Sequence, residues 1–212
     1  MTVDREGVVV VLPTGVHERH AAKLIREKQV WLERTLERFE RSRSAVALRD
    51  LSDGGSVPYL DGVLDLKVVQ RPGTRGSVSL AKSGECLTVR NAEVSRDSVV
   101  ALLESWYRRQ AHSEIGDRLD AVVARNGTTY RSLSIRGQRT RWGSCSSKGG
   151  MSFNWRLLMA PEHVLDYVVE HEAAHLEVMD HSPRFWNLID QRVPNWRSQR
   201  DWLREHGDTL FL

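Results

Sequence analysis

The sequence predicts an α+β fold: a small antiparallel sheet packed on one apolar-periodic helix and on further helices, preceded by a smaller strand-helix-strand N-terminal region. Three observations predict it. Two long stretches, residues 17–43 and 96–125, repeat apolar residues at three- and four-residue steps. Several short β-branched or alternating runs are bounded by Gly, Pro and Ser. A third apolar-periodic stretch, Val164, Leu165, Val168 and Val169, leads into His171-Glu172-Ala173-Ala174-His175.

In chain order, residues 8–12 read as a short buried strand stopped by Pro13, with Thr14-Gly15 opening a turn. Ala21, Leu24, Trp31, Thr35, Leu36 and Phe39 mark one long amphipathic helix packed on a sheet. Residues 51–58, rich in Gly and Ser, read as a loop. Residues 64–69 and 86–89 read as strands around a Pro72-Gly73 turn, a small antiparallel unit. The domain boundary is expected near residue 95, giving a β-rich region 1–95 with one long helix and a second domain 96–212. Val99, Leu103, Tyr107, Ala111, Ile115, Leu119 and Val122 stay in register along the second long helix, and Asn126-Gly127 stops it. Residues 132–136 and 151–155 alternate as half-exposed strands. Pro161 and Glu162 suit a helix start, and this helix is expected to run to about Val178. Ser182-Pro183 starts another, carrying Phe185, Trp186 and Ile189 inward, and a last helix begins at Asn195 and stops at Gly207.

Composition bounds the rest. With 212 residues, 40% hydrophobic and 28% charged, the chain can bury a core without disulfides, as ordinary soluble globular proteins do. A net charge of +3 suits an anionic partner but lacks the lysine-rich profile of a nucleic-acid arm. Cys86 and Cys145 form no framework and no C-x-x-C pair, and the first apolar run is too short for a signal peptide or a membrane span. The expectation is a cytoplasmic protein with no membrane partner; oligomeric state is left open.

The motif that concentrates chemistry is H-E-x-x-H with a third histidine ten residues after the first. His171 and His175 lie one turn apart on one helix face, about 6 Å from each other, and can share one metal ion. Glu172 is held beside the metal without entering its coordination shell, where a base for an activated water must sit. His181 cannot join that face on a continuing helix, so the chain must leave the helix after His175 and fold back. Three protein ligands and one open position describe a catalytic Zn2+ site. The spacing equals that of the metzincins, but Val178 stands where they have glycine. Cys145 reads either as an extra soft ligand or as a small apolar residue. Asp166 and Glu170 read either as acceptors for ligand imidazoles or as solvated carboxylates, and His163 as a cap or surface residue.

Beyond this motif, Arg141-Trp142-Gly143-Ser144-Cys145-Ser146, Asn154-Trp155-Arg156-Leu157, Ala160-Pro161 and Asp180-His181-Ser182-Pro183-Arg184-Phe185-Trp186 follow in order. With them, the chain from about residue 100 to 195 resembles the YgjP-like metallopeptidase domain, a bacterial relative of the SprT-like and WLM zinc proteases. The resemblance implies a zincin-like metallopeptidase core with His171, His175 and His181 as zinc ligands and Glu172 as catalytic base. Arg141, Ser144 and Asn154 are candidate substrate-binding residues because the family motifs surround them. Three readings stay open. The first is a zinc peptidase that holds a peptide or protein substrate along an edge strand. The second is a metal-dependent nucleotide phosphohydrolase using Arg139, Arg141, Arg156 or Arg184. The third is a zinc-stabilised module that binds nucleic acid or protein. An arginine cluster converging on the metal would favour the second, an open groove beside an edge strand the first.

Overall fold

The computed structural model describes residues 2–4, 7–138 and 140–212. Arg139 of the arginine set lies outside the described residues. Two compact units divide the chain, residues 1–48 and 49–212.

In the first unit β1 (Thr2–Asp4) pairs antiparallel with β2 (Gly7–Val9). The expected buried strand is therefore shorter than residues 8–12, and it is not buried: Val9 is 53% exposed and Val11 79%. The single long helix is two, α1 (Arg19–Glu27) and α2 (Gln29–Ala47). They break at Lys28, whose φ of −106° and ψ of 11° leave the helical region. Periodicity alone did not mark this break, because both helices are rich in good helix formers.

The second unit begins with a four-stranded sheet in the order β3, β4, β6, β5. Its strands are β3 (Ser56–Tyr59), β4 (Gly62–Gln70), β5 (Ser77–Leu80) and β6 (Cys86–Asn91). Residues 56–59 are thus strand where a loop was expected. The sheet is mixed rather than antiparallel: β5 and β6 form a hairpin, but the chain first crosses to the far edge, so β6 lies parallel to β4. Leu64, Leu66, Leu87 and Val89 share one core with α3 (Arg96–Asn126). The compact division therefore falls at residue 48, well before the expected boundary at 95.

All seven apolar positions expected along α3 are buried. Its ends are chemically fixed. The Ser95 and Ser98 hydroxyls each accept the other's backbone N–H, at 3.2 and 3.0 Å, and Gly127 closes the helix at φ 65°.

A second sheet, ordered β7, β9, β8, comprises β7 (Ser132–Arg136), β8 (Gly143–Cys145) and β9 (Gly150–Asn154). It repeats the same device: β8 and β9 form a hairpin, and β9 slots in parallel to β7. This sheet too is mixed where an antiparallel one was expected. A 3-10 helix (Trp155–Met159) leads to α4 (Glu162–Ala174), α5 (Pro183–Arg192) and α6 (Trp196–His206). No helix among the described residues is long and apolar enough to cross a membrane.

Candidate metal centre

Helix α4 ends at Ala174, capped by His175 with helical dihedrals, and turn hydrogen bonds carry the chain on to Val178, where the helix was expected to reach. The chain then turns, and the Asp180 carboxylate accepts the Ser182 N–H at 3.1 Å, tying the loop to the start of α5. Ser182 occupies the cap position, but its own side chain makes no capping bond; Pro183 at the first turn does the rest.

This fold-back brings His181 to the other two histidines. The nearest nitrogens of His171, His175 and His181 lie within 4.8 Å of one another, and His171 Nε2 and His181 Nε2 are 3.1 Å apart. Zinc–nitrogen bonds of 2.0–2.1 Å in a tetrahedron separate ligand nitrogens by about 3.4 Å, so the cluster is sized for one such ion. Phe185 is the floor under it, with ring centroids 4.9, 4.5 and 4.8 Å from the three imidazoles.

Protonation states also fit a metal. His175 Nδ1 lies 3.0 Å from the Val178 carbonyl oxygen, which only an N–H can satisfy, so its lone pair is on Nε2. Burial, then the charges of His175 and His181, push His171 down to about 3, and burial lowers His175 as well. Both imidazoles are neutral at ordinary pH, as ligands must be. His171 Nδ1 is buried with no hydrogen-bond partner.

Glu172 projects beside this cluster into a cavity of about 550 Å3 between α4, β8 and α6. Burial lifts its carboxyl to about 7, against the opposing charge of Arg141. Strand β8 lies directly on it: a Cβ at Gly143 would come within 2.5 Å of Glu172 Cγ. Glycine is required there by contact, not by backbone angle.

Arg141 and Ser144 line the cavity, while Asn154 does not. Its amide donates to the Gln138 and Arg141 carbonyls at 2.6 and 3.2 Å, and its oxygen accepts the Arg156 N–H. Asn154 is a strut that shapes the loop before β8, so the family motif around it does not bring its side chain into the cavity. Asp166 pairs with Arg118 and Glu170 with Arg125, so neither carboxylate orients a ligand imidazole. Cys145 lines the cavity, and burial followed by the Glu172 charge raises its thiol, which disfavours the thiolate a metal needs. Of the arginines proposed for phosphate, Arg156 stacks on Trp155 and Phe211 and Arg184 is outside the cavity.

Sequence reasoning missed Gly143, Tyr167, Arg200 and Arg204. Tyr167 was within reach, since it stands four residues before His171 on the same helix face. Its phenol is held protonated, pushed up to about 12 by burial. Arg200 and Arg204 come from a separate helix, and no local spacing connects them to the motif.

No curated protein matches the chain. Among solved structures, the metallopeptidase zymogen of Pyrococcus abyssi abylysin aligns with 24% identity over 44% of this chain and 92% of its own, at a TM-score of 0.38. The metallopeptidase zymogen of Methanocaldococcus jannaschii jannalysin aligns with 18% identity over 42% and 89%, at a TM-score of 0.36. A family model described as the YgjP-like metallopeptidase domain matches residues 1–206, and the chain belongs to that family.

Proposed function

We propose that the chain is a zinc metallopeptidase with a zincin-like core, in which His171, His175 and His181 hold the ion and Glu172 is the general base. The observation that carries this reading is the buried Glu172 carboxylate, placed beside three converging imidazoles and under the three-residue edge strand β8. A structural metal site has no use for such a base. When bound, zinc supplies a Lewis acid that polarises the substrate carbonyl and lowers the pKa of a water on it to about 7.

Glu172 takes a proton from the attacking water and delivers it to the departing amine. Its burial beside the histidine cluster favours proton exchange with these groups over exchange with bulk water. The outer edge of β8 offers main-chain N–H and C=O groups for pairing an extended peptide, with Ser144 on it. The neutral Tyr167 phenol and the Arg141 guanidinium are the donors available to charge that develops on the carbonyl oxygen. All of these residues lie in the 96–212 segment expected to form the peptidase domain.

The test is to load wild type and Glu172→Gln with zinc, confirm equal metal content, and assay both on a panel of unfolded proteins and a panel of nucleotides. The expected result is peptide cleavage by wild type only. Nucleotide hydrolysis lost in the variant, without peptide cleavage, would replace this reading with a phosphohydrolase; Arg141, Arg200 and Arg204 in one cavity are the observation favouring that alternative.

A further inference from the structure

Three guanidiniums line the cavity that holds Glu172, and two of them, Arg200 and Arg204, sit one turn apart on α6, across from β8. Arg204 is largely exposed, but Arg200 does not belong to an ordinary solvated stripe. Arg200 lies over the Trp196 ring at 4.9 Å. Trp196 stacks on Trp186 at 4.4 Å, and Trp186 stacks on His181 at 5.5 Å. One continuous stack therefore fixes the guanidinium relative to the metal-ligand cluster. Its neighbour Arg197 also covers Trp196, but it is paired with Asp190 and stays outside the cavity. Arg200 and Arg204 share a single carboxylate, Asp201, at 3.7 and 3.5 Å. Contacts this long at exposed side chains are weak and leave most of the N–H donors available.

The cavity favours an anionic ligand. Three arginines and the zinc of the proposed reading outweigh Glu172 there, and Asp201 is the one carboxylate paired with Arg200 and Arg204. A planar guanidinium grips a carboxylate through two parallel hydrogen bonds, and on the peptidase reading a carboxylate is the anionic group a peptide substrate presents.

We infer that Arg200 and Arg204 form a subsite for a substrate carboxylate next to the scissile bond, either an acidic side chain or the chain's own C-terminus. This inference rests on the peptidase reading above and makes the protein selective for acidic or chain-terminal sites.

The experiment uses the zinc-loaded full chain and a neutral peptide in which one Glu or its isostere Gln is moved through successive positions, each with a free or an amidated C-terminus. Cleavage is measured with wild type, and binding by fluorescence anisotropy with Glu172→Gln, so that affinity is read even without turnover. A carboxylate at the right position is expected to improve kcat/KM and affinity about tenfold over its amide, with the advantage shrinking at high salt. In Arg200→Gln/Arg204→Gln the ratio between Glu and Gln peptides is expected to fall to about one, and in Arg200→Glu/Arg204→Glu a Lys peptide is expected to become the preferred one. Because each ratio is taken within one protein, loss of folded material cancels. Dependence on the free terminus alone identifies a chain end as the ligand, and dependence on Glu alone identifies a side chain. Equal handling of Glu and Gln peptides by wild type overturns the inference while leaving the peptidase intact. Carboxylate-selective binding without any cleavage sinks the peptidase reading but keeps the subsite. Displacement of the Glu peptide by nucleoside triphosphate at lower concentration than by a second Glu peptide also overturns the inference, in favour of phosphate.

Discussion

Glu170 and Glu172 are two residues apart on α4 and about equally buried, at 4% and 7% exposure. Two residues of helix rotate the side chain by about 200°, so the two carboxylates point to opposite faces. On one face Arg125 meets Glu170, and nearby Arg118 gathers Glu114, Glu162 and Asp166. On the other, Glu172 has no ion-pair partner among the described residues and borders a cavity. Burial therefore does not distinguish a structural acid from a reactive one. The deciding property is whether a cation has been placed to quench it.

The comparison can be broken in order of effect. Removing the metal with a chelator is expected to abolish peptide cleavage, with zinc restoring it. Rescue by no divalent ion, checked by titration of the stripped protein, would end the metal assignment. Next, Glu172→Gln should lower kcat by roughly a thousandfold with little change in stability, whereas Glu170→Gln should leave kcat within about twofold. Matching losses of activity in both would show that the two faces are not separate.

A smaller effect is expected from Gly143→Ala, because its methyl group must displace Glu172 or the edge strand. A shift of about 1 Å costs roughly a hundredfold in kcat, with metal content unchanged. Smallest for activity, and informative for stability, is Arg125→Met. It strands the buried Glu170 carboxylate and should destabilise the chain by about 2 kcal/mol in urea unfolding, less than a fully buried pair because Arg125 is 59% exposed. Glu170→Gln should cost less, since the arginine left behind can turn to water.

Those two faces were not equally legible. The convergence of His171, His175 and His181 and the fold-back that produces it follow from spacing, because helix periodicity and turn signals are local constraints. The buried stripe of α3, from Val99 to Val122, was legible for the same reason. The strand orders were not: hairpins β5–β6 and β8–β9 are local, but their parallel partners β4 and β7 are chosen by chain crossings that leave no pattern in sequence. Asn154 illustrates a related limit of local signals, since the motif around it does not distinguish a side chain spent on loop carbonyls and the Arg156 N–H from one facing the cavity. Arg200 and Arg204 reach the cavity from α6, and no sequence spacing ties that helix to the H-E-x-x-H motif.

The brevity of β8 has one more consequence. A sheet edge offered to passing peptides is also an edge offered to other copies of the same chain, and long exposed edges seed aggregation. Three residues span about 10 Å. That is enough to align the backbone immediately around one bond, yet too short to recruit a lasting strand from a neighbour. On the proposed peptidase reading, the site can therefore stay open to peptide substrates at high concentration without becoming a nucleus for aggregation.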